Sequence, residues 1–323
     1  MIKNLYLLTF LTLLSLCSCH NKNSKKTLKL SHGLDVNHSV HLAMLKMGEE
    51  LYKKSNGTLS LEIYPNQQLG TERQNIELLQ IGSLDMTKVS AAIENFNPKM
   101  KIFGFPYLFK DRDHAFRVLD GPIGKELLQG SAKYRIIGLG YYDAGSRNFY
   151  TKDRPIKKPE DLQGLKVRVM ESVTDIAMVK SLGGSPTPIS WGELYTSLQQ
   201  GVVDGAENNL PSFHLSRHYE ICKYFSLNQH TVRPDILIVG TSTWNRLNKQ
   251  EQKWLQDSVD ASVKYQRNLW KKAEEDALIA IKKAGVTVFR PDKQPFIEKT
   301  SAIYDACQDQ ELLSLVQQIK NTK

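Results

Sequence analysis

The sequence predicts an α/β fold in two domains, and three observations carry that prediction. Short apolar strands alternate with helical stretches, the pattern of a parallel-rich sheet covered by helices. The 323 residues are enough for two domains of ordinary size with sizeable cores. One amphipathic stretch near the C-terminus is also longer than a small domain is wide.

Residues 1–18 read as a signal peptide. Lys3 supplies the positive start, and the apolar run Leu5 to Leu16 is too short to span a bilayer as a helix. Leu16-Cys17-Ser18-Cys19 then has the form of a lipoprotein processing site, with Cys19 as lipid acceptor. Cys17 is the poorer acceptor because bulky Leu16 precedes it. The expectation is an exported protein, lipid-anchored to a bacterial membrane on its periplasmic side. Only Lys3 is a charged residue of the leader, so a net charge of +9 falls to +8 on its removal. That surplus is spread along the chain, with no basic block interleaved with aromatics, which argues against a nucleic-acid partner. Beyond Cys19 only Cys222 and Cys307 remain, either a bridge in an oxidising compartment or two buried thiols.

Thr27 to Ser31 predicts a first strand, followed by a turn with His32, Asp35, Asn37 and His38. Leu42, Leu45, Gly48, Leu51 and Tyr52 recur at helical spacing until Asn56-Gly57. Leu59, Leu61 and Ile63 alternate with polar residues as a second strand. Glu72 opens a helix through Leu79, and Leu84 to Ser90 is a third strand. Tyr134 to Tyr142 is another strand, and a domain boundary is placed near residue 145. Ligands in such folds sit at the carboxyl ends of strands.

The central stretch, Gly164 to Asn209, reads strand, helix, turn, helix, strand. Its first strand places Arg168 among Val167, Val169 and Met170, an expensive position for a guanidinium with no anion to meet it. A kinked loop Ser185-Pro186-Thr187-Pro188, a helix opening at Trp191, and a strand ending at Asn208-Asn209 follow. A cation, an aromatic and an amide at separate loop ends suggest a site for a polar anionic small molecule. Asp235 to Gly240 is a strand expected to return to the first domain. Asn248 with Glu251 three residues on is a capping signature. From there Leu255, Val259, Val263, Trp270, Ala277 and Ile281 keep one stripe until Gly285. At about 1.5 Å per residue this helix is roughly 55 Å long and is expected to span both domains.

No phosphate-binding loop, zinc-protease helix or nucleophile elbow is present. Gly138-Leu139-Gly140 begins like a dinucleotide fingerprint, but Asp143 stands where the third glycine belongs. His214 and His218 have metal-ligand spacing without an accompanying acid or thiol, and read as surface-helix histidines. No metal, cofactor or catalytic residue is expected.

The chain from Leu28 to about residue 310 resembles the solute-binding subunits of TRAP (tripartite ATP-independent periplasmic) transporters, the DctP family. The resemblance rests on Pro65-Asn66-Gln67-Gln68-Leu69-Gly70, Gly104-Phe105-Pro106-Tyr107, Gly164-Leu165-Lys166-Val167-Arg168-Val169, Ser185-Pro186-Thr187-Pro188 and Val203-Asp204-Gly205-Ala206-Glu207-Asn208, in that order. It implies a two-lobed periplasmic-binding-protein fold with hinge strands and a long helix joining the lobes. Residues 27–144 with 236–272 would form lobe I, and 145–235 with 273–323 lobe II. It implies binding without catalysis, and delivery of the solute to membrane permease subunits.

Motif by motif, the resemblance matches Arg168 to the arginine that clamps a ligand carboxylate, a task suited to a planar fork. Arg147 matches a second arginine, Asn208 an amide beside the carboxylate, and Trp191 an aromatic under the ligand ring. In the first lobe Glu72 matches an acidic acceptor for hydroxyls, Ser90 ends its strand where another polar contact is usual, and His32 and His38 on the first loop are candidate donors to hydroxyls. Each has an alternative: a structural salt bridge for Arg168, a loop arginine for Arg147, a helix cap for Asn208, core packing for Trp191. Glu72 could simply favour its helix dipole, and either histidine could be a cap or a surface residue. One lobe offers two arginines and an amide, which suits a single carboxylate, and the other offers Glu72, Ser90 and histidines, which suits hydroxyls. Ala206-Glu207-Asn208-Asn209, with His230-Thr231 downstream, resembles the members that bind hexuronates or related sugar acids, which implies D-glucuronate or D-galacturonate. The rival readings are a C4-dicarboxylate-binding subunit of the same family and a secreted lipoprotein hydrolase.

Overall fold

The structure is a computed structural model that describes residues 25–323; the leader and Cys19 lie outside the described residues. The chain alternates β1 (Lys26–Ser31), α1 (Ser39–Lys54), β2 (Leu59–Tyr64), α2 (Glu72–Ile81) and β3 (Met86–Val89). Short 3₁₀ turns, α3 (Arg112–Asp120) and α4 (Pro122–Gln129) lead to β4 (Ile136–Tyr142). The second half begins with β5 (Ser146–Thr151), β6 (Lys166–Val169), α5 (Val173–Ser181), β7 (Ser185–Pro188), α6 (Leu194–Gln199) and β8 (Gly205–Asn208). It continues with α7 (Leu210–Leu215), β9 (Tyr224–Val232), β10 (Asp235–Gly240), α8 (Thr241–Arg246), α9 (Lys249–Lys283), β11 (Thr287–Phe289), α10 (Gln294–Asp305) and α11 (Gln310–Asn321).

These strands form two sheets, in the orders β2-β1-β3-β10-β4 and β11-β9-β5-β8-β6-β7. Each sheet, with its helices, is one lobe. The chain crosses between them after β4 and returns between β9 and β10. β10 then runs antiparallel between β3 and β4, wholly buried.

The long helix α9 is one unbroken run of 35 residues. Asn248 starts it: its side-chain oxygen accepts from Glu251 N at 2.9 Å while its own N–H donates to Glu251 at 2.8 Å. Leu255 and Val259 pack into the first lobe beside Leu28, Met44 and Tyr142. Ala277 and Ile281 pack into the second beside Tyr150, Phe213 and Phe225. Between them Gln266 grips the crossing strand twice, accepting from Asp143 N at 2.8 Å and donating to Asp143 O at 2.7 Å.

Two details depart from the sequence expectation, and the cysteine alternative is resolved. Ser185–Pro188 is an edge strand, not a loop. Ser185 and Ile189 donate to the Leu165 and Val169 carbonyls along the neighbouring strand β6 at 2.9 and 3.2 Å, and the prolines alternate with these donors, so no ladder bond is lost. The last helix, α11, does not stay with the second lobe, although β11 and Phe296 of α10 do. Leu312, Val316 and Ile319 of α11 lie in the first-lobe core with Ile102 and Phe103, because that apolar face finds its cover there; His114 Nε2 also meets Ile319 O at 2.9 Å. Cys222 and Cys307 are both free, and each packs in a different core.

Candidate functional site

A cavity opens between the sheets, at the strand ends of both lobes. Among its lining residues are Glu72, Lys88, Ser90, Arg147, Arg168, Trp191, Asn208 and Asp235. Of the sequence-predicted set, Arg168, Arg147, Asn208, Trp191, Glu72 and Ser90 are therefore brought together.

Arg168 sits on β6 between β7 and β8, and is 2% exposed. Its Nε donates to Ile189 O at 2.8 Å, and its Cζ lies 5.8 Å from the Trp191 ring centre. Its Nη1 is buried with no hydrogen-bond partner, and no carboxylate pairs with it among the described residues. Burial pulls its proton affinity below that of an ordinary arginine, yet a guanidinium stays charged. The wall thus holds an uncompensated cation.

Arg147, on β5, is not the exposed loop arginine that was its alternative. It is buried and paired with Glu207: Nη2 donates to Oε1 at 2.8 Å and to the Glu207 carbonyl at 2.9 Å, and Nε donates to Oε2. Burial alone would push the Glu207 carboxyl up, but Arg147, with His230 at 3.3 Å, pulls it down to about 2. The charge of Arg147 is therefore already matched by a protein acid. Its Nη1 donates to Asn208 Oδ1 at 3.0 Å, and Asn209 N donates to the same oxygen at 2.8 Å. This fixes the Asn208 amide with its oxygen occupied, leaving the NH2 as the free end at the cavity wall.

The first-lobe wall has the opposite character. Glu72, at the start of α2, accepts from Lys88 Nζ at 3.0 Å and from Ser90 N at 2.9 Å. Lys88 also donates to Asp235 at 3.2 Å. Burial works against the Lys88 ammonium, but Asp235 and Glu72 outweigh it and raise its pKa. One buried cation between two carboxylates leaves this triad one charge negative, and Arg73, which also lines the cavity, is spent on Glu77 at 3.2 Å. Sequence reading missed Lys88 and Asp235; their signal was a charged residue inside each of two predicted strands.

Trp191 lies in the seam, packed against the apolar clusters of both lobes. His218 is buried, not a surface-helix residue: its Nδ1 meets the Tyr150 hydroxyl at 2.9 Å and its ring lies 5.2 Å from Trp191. No cluster of three or more potential metal ligands occurs among the described residues.

The two first-loop histidines do not face the cavity. His32 spends both ring nitrogens on protein, Nδ1 accepting from Leu34 N at 3.1 Å and Nε2 meeting His41 at 2.9 Å. Burial, then nearby Lys88, lowers it to about 2. His38 caps α1, its Nδ1 accepting from Val40 N at 3.2 Å, while Nε2 reaches Ser212 of the other lobe at 3.4 Å. Burial lowers it to about 3. Neither has a free donor for a hydroxyl.

Two α/β lobes joined by crossing strands and a shared helix, facing across a cavity with one unmatched cation among the described residues, define a binding protein built to enclose a small solute. The comparisons with known proteins agree. Residues 30–311 match the bacterial extracellular solute-binding proteins, family 7 (DctP). The Salmonella typhimurium protein YiiZ is 40% identical over 281 residues, 86% of each chain. A TRAP periplasmic solute-binding protein from Bradyrhizobium, solved with α/β-D-galacturonate, superimposes with a TM-score of 0.90 at 37% identity, covering 92% of this chain and all of its own. One from Anaerococcus prevotii, solved with α/β-D-glucuronate, gives 0.90 at 34% identity, covering 92% of this chain and 98% of its own. The chain belongs to the DctP family of TRAP solute-binding proteins, an extracytoplasmic binding family rather than an enzyme family.

Proposed function

We propose that the protein captures a hexuronate, D-glucuronate or D-galacturonate, by closing its two lobes, and hands it to the membrane permease subunits of a TRAP transporter. The observation that carries this reading is the unpartnered, buried Nη1 of Arg168 at the cavity wall. A planar fork with a free face is a seat for one carboxylate. Arg147 acts through Asn208, whose NH2 is aimed by the pair with Glu207.

The opposite wall supports a hydroxylated rather than a second acidic end. Within the triad Glu72 and Asp235 outnumber Lys88, and Arg73 beside it is already paired with Glu77, so a second carboxylate there would meet like charge. Hydroxyls instead donate to Glu72 and Asp235 and exchange hydrogen bonds with Ser90. The apolar C–H face of a sugar suits the Trp191 indole. The two solved relatives named above hold uronates, in line with this assignment.

Closure is favoured by solute because only the closed state engages both walls at once. No bond is made or broken. The exported chain is held at the membrane by lipid on Cys19. Calorimetry with D-glucuronate, D-galacturonate and succinate tests the ligand class: uronates should bind and succinate should not. Tight binding of succinate alone would overturn the assignment.

A further inference from the structure

The loop Pro65–Gly70 forms part of the sequence resemblance, yet it supplies none of the ligand contacts above. Its backbone is unusual. Asn66 and Gln67 are both left-handed, with φ of 54° and 58°, a region where non-glycine residues are uncommon. Asn66 N donates to Leu34 O and Gln67 N to His32 O, each at 3.1 Å, which holds the loop to the first lobe.

From there the Gln67 side chain crosses the cleft. Its Oε1 accepts from the N–H of Gly192, in the second lobe, at 3.0 Å. A Cβ at Gly192 would meet only Gln67 within 4 Å, Oε1 at 2.5 Å and Cδ at 3.5 Å. Gly192 is not among the positive-φ glycines, so it is small to admit this side chain rather than to permit its own backbone. A Cβ at Gly33 would meet Gln67 Cγ at 3.2 Å and Trp191 Cδ1 at 3.7 Å. The amide therefore lies in a slot between one glycine from each lobe, against the turn that presents Trp191.

We propose that Gln67 is the latch of the closed cleft and the positioning residue for Trp191. Its bond to Gly192 exists only when the lobes meet, and it fixes the turn that sets the indole beside Arg168. An interaction confined to the closed state raises affinity by shifting the open–closed balance. The inference rests on the reading of a hinged solute cleft, not on which acid enters it.

The test compares Gln67→Ala, Gly192→Ala and the double variant by calorimetry and stopped-flow with D-glucuronate, alongside thermal unfolding of the free proteins. Each single change should weaken binding roughly three- to tenfold, the value of one neutral hydrogen bond, mainly through faster release. The double variant should be no worse than the weaker single, because both changes delete the same bond. Free-protein midpoints should stay at the wild-type value. Singles within twofold of wild type, multiplying losses in the double variant, or a Gly192→Ala midpoint drop that persists without Gln67 would each overturn the latch. If the wild type answers to neither uronate, the substrate assignment fails separately. The latch is then scored on the free protein, from the distance between spin labels on Ile81→Cys and Ile279→Cys in a Cys307→Ser background. Losing Gln67 should reduce the closed fraction, and an unchanged distribution would overturn the proposal.

Discussion

Replacing Arg168 by Met isolates its charge, because Met keeps most of the aliphatic stem volume. In the bound state the change removes a buried guanidinium–carboxylate pair and strands the ligand acid. Losing one partner of such a pair costs about 3–5 kcal/mol, more than a hundredfold in affinity. In the free protein the balance differs. Met ends the burial of an uncompensated charge, which is often neutral or stabilising. It also loses the bond to Ile189 O, about 1 kcal/mol, and the cation contact with Trp191, about 0.5–2 kcal/mol. These terms nearly cancel, so stability should change by no more than about 1 kcal/mol. Calorimetry with D-glucuronate and urea unfolding of the free protein read the two effects separately. Arg168→Lys should recover only part of the affinity, since the fork is gone. An affinity loss below tenfold, or a free-protein loss of several kcal/mol, would refute the assignment of Arg168 as the open carboxylate seat.

Glu207→Gln should destabilise the free protein by about 3–5 kcal/mol, because it leaves the buried charge of Arg147 unmatched; a loss under about 1 kcal/mol by urea unfolding would contradict that pairing. Acid should also weaken the fold. His32, His38 and His218 are held neutral by burial at about 2, 3 and 3, so their stabilisation is full above their ordinary 6.5 and fades as pH falls below it. By pH 5 that is on the order of 2 kcal/mol each. Burial raises Asp175 to about 6 and also raises Asp143, Asp235 and Glu274, an opposing gain on acidification, but it lowers His41, His214 and His230 as well, so the histidine loss is the larger. The thermal midpoint should therefore fall from pH 7 to pH 5, and a flat profile would count against the buried neutral histidines. Cys19→Ala should move the protein from the membrane to the soluble fraction; unchanged fractionation would remove the lipid anchor.

The α/β class, the long helix with its Asn248 cap and Arg168 were legible because each leaves a local mark, whereas Arg147, Asn208, Trp191 and Glu72 were reached only through the family resemblance. A 3.6-residue stripe, a capping box and an arginine inside an apolar strand need no tertiary knowledge. What was hidden depended on partners far apart in the chain. Arg147 looked like a free cation until the fold placed Glu207, 60 residues on, against it. Lys88 and Asp235, 147 residues apart, meet only because β10 returns beside β3. The histidines misled because a polar ring near a loop resembles a donor until its nitrogens are assigned. Helix α11 misled for a related reason: an amphipathic face does not say which core it will cover.

The most direct measurement is a crystal structure grown with D-glucuronate. It should place both carboxylate oxygens against the Arg168 guanidinium at roughly 3 Å, with the sugar hydroxyls toward Glu72 and Asp235. A uronate lying the other way round, its acid beside Lys88 and Arg168 still without an anion, would contradict the account.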